Sequence, residues 1–406
     1  MNFRRLLTML WLLAALSVIT GCWDRKELNE IGIVLAMAVD LEPGIGYKVS
    51  CQIVVPSEVA SNSDKSTTTS VTLVKATAPT IHEALYKMTL SSPRLSYMSH
   101  IRLLVFSEEL ARKGIAEVLE ALIRDPGFRP DYFLTIARGS SAEEVLTILT
   151  PLESIPANSL YYSLRNSVDV WAPTIEAYAD TTVEKMVASG IEAVMTGVEI
   201  HGDRDAGGSK KNLASIRPKA SLQFTGMAVL KKDRLVGWMD EAESKGYNYI
   251  EGNVRNTIGH LDCPYGEGEV TLLLLRSDSD VKPRLVGGEP EFDVKLRVVQ
   301  TIYGDSCKSA LNTEYAIRQL EQKANERLAH IMKDSVDAAK TRLKADIFGF
   351  GRAFYRKYPT EWKKIGMHWN EKFAEVKINY FVESQIRRIG SLDNTITKQM
   401  KEEMPE

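Results

Sequence analysis

The sequence holds only four cysteines in 406 residues: Cys22, Cys51, Cys263 and Cys307. That is too few for a disulfide scaffold, in which bridges stand in for a hydrophobic core. Setting Cys22 aside for the moment leaves three thiols, which cannot all pair. There is room for one bridge, and buried free thiols are the expectation. Cys51 in particular lies in an alternating, strand-like run where it serves as a small hydrophobe. An excess of charge of one sign is also missing. Lys and Arg number 51 against 53 Asp and Glu, a net charge of −2. No nucleic-acid partner is expected from that balance. Histidine is scarce, and none of His82, His100, His201, His260, His330 and His368 pairs with another at metal-ligand spacing. His260 and Cys263 stand close together, but no second pair completes a tetrahedral site, so a turn before Pro264 is the reading. Gly207-Gly208-Ser209-Lys210-Lys211 has a superficial likeness to a phosphate loop. It lacks the first glycine and the preceding buried strand. No serine stands at a nucleophile elbow, and the acidic residues are scattered. Neither an enzyme nor a metal or cofactor is expected.

Long apolar runs are rare as well. The one that stands out is Leu6–Gly21, 16 residues without a charge, preceded by Arg4 and Arg5. A spanning helix needs about 20 apolar residues, so this run is short for a signal anchor and fits a secretory signal peptide. It ends Ile19-Thr20-Gly21-Cys22, which resembles the bacterial lipobox: an aliphatic residue, two small ones and a cysteine. Residues 1–21 therefore read as a lipoprotein-type signal. Cys22 is the expected lipidated residue, carrying palmitate-like acyl chains. Two or three chains hold a protein stably at a membrane, where one is marginal.

A mature chain of this length exceeds the roughly 250–300 residues at which single cores stop growing, so more than one domain is expected. Ile31–Asp40 and Tyr47–Pro56, separated by Glu42-Pro43-Gly44-Ile45-Gly46, read as two paired strands. Val71–Ala76, His100–Phe106 and Asp131–Ala137 are further strands. Thr80–Leu90, Glu108–Arg124 and Ala142–Leu149 carry helical periodicity. This alternation predicts an α/β domain over 22–200. The polar stretch 201–217 is expected to be an exposed loop or linker. Beyond it, 218–395 reads as an α+β domain. Its expected parts are a hairpin (Leu222–Leu230 with Leu235–Met239), strands Glu269–Arg276 and Glu291–Ile302, a long helix over 313–348 and a last strand over 375–389. The fold class is α+β, multi-domain, with antiparallel or mixed sheets.

Two segments carry a family resemblance. Cys22-Trp23-Asp24-Arg25-Lys26-Glu27-Leu28, running into the apolar strand that ends at Asp40, resembles the start of the Ger(x)C family. Asp346-Ile347-Phe348-Gly349-Phe350-Gly351, followed by Tyr355-Arg356, Pro359, Trp362 and Trp369, is similar to that family's carboxy-terminal signature. These proteins are C subunits of bacterial spore germinant receptors. The resemblance implies three mixed α/β domains. It also implies lipid anchoring on the outer surface of the spore inner membrane of a Gram-positive spore former. The partners it implies are an A subunit with membrane spans and a transporter-like B subunit. Germination in response to nutrients is the implied role. No catalytic residue is carried over, only Cys22 as the lipidated position. Direct small-molecule binding by the chain is left open. Trp23, Asp24 and Leu28 are expected to dock the start of the chain and shorten its tether. Phe348, Gly349, Phe350, Gly351 and Trp362 are expected to pack as a core around a tight helix break in preference to forming a partner surface. The competing reading is a lipoprotein that binds solutes for a transporter. That calls for two doubly wound lobes, which the hairpin-rich second half fits poorly.

Overall fold

A computed structural model describes residues 29–60, 68–307, 311 and 313–387, together with 3–4, 7–8, 11 and 27. Cys22, Trp23, Asp24 and Leu28 lie outside the described residues, as does most of the lipoprotein signal.

The first sheet is built on strands that read as almost unbroken apolar runs. β1 (Ile31–Glu42), β5 (Leu103–Ser107), β6 (Phe133–Ala137) and β7 (Val194–Gly202) are parallel neighbours. Such strands are buried on both faces, and alternate residues serve two cores. Met37, Val39, Leu104, Phe106, Leu134 and Ile136 face one. Ala36, Ala38, Leu103, Val105, Phe133 and Ala137 face the other. The first core is covered by helices α1 (Ile81–Lys87), α2 (Glu108–Lys113) and α3 (Ala116–Arg124), the second by α4 (Ala142–Thr147) and α5 (Pro156–Val170). Antiparallel strands extend the sheet at both sides. β2 (Gly46–Val54) and β3 (Val71–Ala78) flank β1, and β8 (Ala220–Lys231) and β9 (Arg234–Trp238) flank β7. The short β4 (Leu95–Tyr97) pairs with the beginning of β1.

The stretch 201–217 therefore connects two neighbours within one sheet, because β7 and β8 pair antiparallel from Val194↔Val229 to Gly202↔Ala220. It is largely exposed but tied down: the buried Asn212 amide donates to the Leu149 and Ala220 carbonyls at 2.8 and 3.0 Å. The periodic segment Glu108–Arg124 is two helices. They break at Gly114, where φ is +135° and a side chain would strike Asp233. Helices α5 and α6 (Ala179–Val187) and strand β7 fill a region that hydrophobic periodicity left blank.

The second sheet has the order β10 (Ile258–Asp262), β11 (Glu269–Val286), β12 (Glu289–Asp305), β13 (Lys377–Arg387). β13 joins β12 in parallel over Glu291↔Lys377 to Thr301↔Arg387. Parallel pairing needs a long crossover, and α8 (Glu314–Ala338) supplies most of it. Leu328, Met332 and Val336 of α8 pack on Phe292, Val294, Leu296 and Val298. That same core takes in Val194, Met227 and Val229 of the first sheet, and Tyr247 and Ile250 of α7 (Glu241–Glu251). The two sheets thus share one apolar interior.

Two expectations are corrected. The long helix ends ten residues before Phe348: it passes into a wider turn over Ala339–Leu343, and Lys344 adopts φ +51°. Cys263 and Cys307 form a disulfide, and only Cys51 remains a buried free thiol among the described residues. The two cysteines are remote in sequence, but Cys263 directly follows β10 and Cys307 lies two residues past the end of β12, at the same end of the second sheet, which brings their Cα atoms to 5.7 Å. His260 is left exposed on β10. Among the described residues no helix is long and apolar enough to cross a membrane, and no group of three metal-binding side chains comes together.

Candidate functional site

The residues of the carboxy-terminal signature meet at one point, organised by Asp346. Helix α8 has ended, and the chain must turn sharply into α9 (Phe350–Lys357). The first backbone N–H groups of a helix lack intrahelical acceptors. The fully buried Asp346 carboxylate takes them. Phe348 and Phe350 donate to Oδ1 at 3.2 Å each, and Gly351 donates to Oδ2 at 2.7 Å. A fourth donor is the Trp369 indole, 2.8 Å from Oδ2. Gly349, at φ +68°, makes the turn. Burial outweighs the hydrogen bonds and lifts the Asp346 carboxyl to about 6.

Around this carboxylate lies an aromatic cluster. The Phe350 ring is 4.9 Å from Phe292, 5.4 Å from Phe348 and 6.0 Å from Phe373. Trp362, near the middle of α10 (Pro359–Ile365), lies 5.3 Å from Trp369. Trp369 opens α11 (Trp369–Glu375) and stacks on Phe354. Phe348, Gly349, Phe350, Gly351 and Trp362 are thus brought together, inside the apolar core between the two sheets.

The cluster grips the first sheet through Gly190–Glu192, the approach to β7. The Glu192 N–H donates to the Asp346 carbonyl at 2.8 Å, and the Arg352 N–H to the Gly190 carbonyl at 2.9 Å. Gly190 and Gly351 touch backbone to backbone, so that a side chain on Gly190 would come within 2.5 Å of the Gly351 carbonyl carbon. The Glu192 carboxylate accepts from the Lys232 N–H at 2.6 Å and from the Asn370 amide at 3.0 Å. Arg352 reaches Glu184 at 2.7 Å. Nearby, desolvation raises the Glu251 carboxyl to about 7, despite Lys185 and Arg352. The arrangement is a clasp. Backbone and carboxylate hydrogen bonds lock the end of one sheet to the signature of the other. Gly190, Glu192 and Asn370 escape sequence reading because their partners are distant in the chain and no local pattern marks them.

In open sheets with parallel strands, ligands gather outside the carboxyl ends of the strands. A cavity of about 470 Å³ lies there, bordered by Asp40, Ser107, Ser141, Glu144 and Arg204. Its helix ends are met by the chain's own groups. Asp40 accepts from the Ala142 and Glu143 N–H groups at 2.7 and 3.0 Å, and Ser141 and Glu144 form a capping box on α4. Cys51, the free thiol among the described residues, is buried and pushed up to about 12, which keeps it protonated and unreactive near neutrality.

Comparison with known proteins gives consistent matches. Residues 24–200 match the family model described as spore germination protein N-terminal domain. Residues 225–390 match the model described as spore germination B3/GerAC like, C-terminal. Spore germination protein KC of Bacillus subtilis (strain 168) is 29% identical over 406 residues, covering 98% of this chain and 100% of that protein. Spore germination protein B3 of the same organism is 24% identical, covering 93% and 96%. The crystal structure of the GerBC protein superposes with a TM-score of 0.53 at 19% identity, over 86% of this chain and 96% of that one. That last likeness is one of fold.

Proposed function

The chain belongs to the Ger(x)C family of spore germination proteins, and from that premise we propose that it is the lipid-anchored C subunit of a spore germinant receptor. The observation that carries this reading is that family matches run through both halves of the chain and behind a lipobox ending at Cys22. Lipid on Cys22 confines the folded body to the outer surface of the spore inner membrane. Confinement raises its effective concentration beside the membrane-embedded A and B subunits, so modest interfaces suffice for assembly. The subunit works by binding and positioning those partners, without catalysis. Support for that comes from what the side chains are already doing. Asp40, Glu144 and Asp346 cap helices, Glu192 bridges the two sheets, and the Cys51 thiol is sealed in the core.

Two measurements test the reading. Deleting the gene is expected to slow or abolish germination triggered by at least one nutrient, with the response to non-nutrient triggers kept. Cys22→Ala is expected to fold normally, to leave the membrane fraction and to reproduce the deletion. Normal membrane retention and a normal nutrient response in Cys22→Ala would refute the proposal.

A further inference from the structure

Resting on the Cys22 anchor, we propose that the edge of the first sheet at which β1 begins is a membrane-docking face for anionic phospholipid. Covalent geometry limits how far the start of β1 can stand from the anchor. From Cys22 to Ile31 is nine residues, which span at most about 30 Å when fully extended. β1 itself has 12 residues and at roughly 3.3 Å per residue is about 40 Å long. The start of β1 therefore stays within about 30 Å of the lipidated residue, whereas the end at Glu42 can stand farther off by the length of the strand.

That end has the composition a lipid surface selects. β4 pairs with the first residues of β1, Ile31↔Leu95 to Ile33↔Tyr97. The turn leading into β4 exposes Leu90 (87%) and Leu95 (50%) to solvent with Arg94 between them. Just past β4, Ser99 and His100 help line a cavity of about 300 Å³ that is also bordered by Arg102, Arg129, Asp131 and Arg165. Its one carboxylate is Asp131. Arg102 lies over the rings of Tyr161 and Tyr162, at 5.1 and 5.7 Å, which fixes the guanidinium at the rim. Arg165 is drawn partly aside by Glu176 at 3.7 Å. Arg94, Arg102 and Arg129 have no ion-pair partner among the described residues. Apolar side chains at a tip flanked by basic groups and tyrosines match the boundary between acyl chains and headgroup phosphates.

The test uses the mature chain from residue 22 with Cys22→Ser, so that no lipid contributes, and measures co-sedimentation with vesicles. Binding is expected to vesicles of phosphatidylglycerol and phosphatidylcholine in equal parts, and to be much weaker with phosphatidylcholine alone. Each basic residue at an anionic surface strengthens binding about fivefold, so Arg94→Ala with Arg129→Ala should weaken it about 25-fold. Leu90→Ser with Leu95→Ser should weaken it too. Lys211→Ala with Arg217→Ala, in the connection between β7 and β8, should leave it unchanged. Equal binding to both vesicle types, or an unaffected Arg94/Arg129 variant, overturns the docking face. Displacement by inorganic phosphate at fixed ionic strength would assign the arginines to a soluble anion and overturn it as well. The anchor is judged separately, by whether Cys22→Ala leaves the membrane fraction in cells.

Discussion

Asp346→Ala should destabilise the protein by about 3 kcal/mol. The carboxylate accepts from three backbone N–H groups and the Trp369 indole. Stranding a buried donor costs about 1–2 kcal/mol, so four stranded donors cost roughly 4–8 kcal/mol. Against this, the ionised side chain is itself expensive in the core. Its carboxyl is raised from an ordinary 3.8 to about 6, and a shift of about two pH units is worth about 3 kcal/mol, which alanine recovers. The net loss is roughly 1–5 kcal/mol, measurable as a lower urea midpoint. Faster hydrogen exchange at the Phe348, Phe350 and Gly351 amides should accompany it. The titration gives a second signature. Between about pH 4 and pH 6 the folded chain holds a proton on Asp346 that the unfolded chain does not. This residue therefore makes the protein more stable as pH falls through that window, and its effect is constant above about pH 7. Asp346→Asn cannot titrate. On going from about pH 7 to about pH 4 the parent should gain up to about 3 kcal/mol relative to it. The Asp346 charge also helps raise Glu251, so the comparison is made in a Glu251→Gln background. An alanine variant with the parental midpoint, or parallel pH profiles for parent and Asp346→Asn, would refute the reasoning.

Two further outcomes follow from the same interior. Opening the Cys263–Cys307 bridge releases a loop of 44 residues, for which chain entropy predicts about 4 kcal/mol as the upper range. Cys263→Ser should lower the unfolding midpoint, and a reductant should lower the parent's midpoint while leaving the variant unmoved. Gly351→Ala should cost about 2–4 kcal/mol, because the added methyl meets the Trp369 indole and the Gly190 backbone with no room to yield. Differential scanning calorimetry would show it, and an unchanged midpoint would contradict the close approach.

Much of this architecture is legible in the sequence where the cause is local. The pairing of β1 with β2 follows from two apolar runs around Pro43-Gly44-Ile45-Gly46, and β11, β12 and β13 follow from alternation. The failures have non-local causes. The helix predicted over 313–348 keeps its apolar spacing past Ala338, yet it breaks because the Asp346 carboxylate captures the N–H groups of the turn beyond. Free thiols are the expectation because nothing in the sequence shows that β10 and β12 end on either side of the start of β11. The expected linker over 201–217 is polar, as connections are, but polarity does not tell a connection between domains from one between strands of a single sheet. At the site, the signature residues were visible as a motif. Their grip on Gly190 and Glu192 was not, since contacts across 150 residues or more leave no periodic trace.

The parallel seat of β13 beside β12 orders the birth of the molecule. The first sheet is complete once Trp238 has been made, and its strands can condense early. The second cannot close until Lys377–Arg387 arrives, after α8 and the Asp346 turn. Contacts between residues so far apart in the chain form slowly. Until then the apolar inner faces of β11 and β12 stand open to water. A folding assistant would find its client there, and a ribosome halted before Lys377 would leave a half-built protein with a sound first sheet and an unsealed second one.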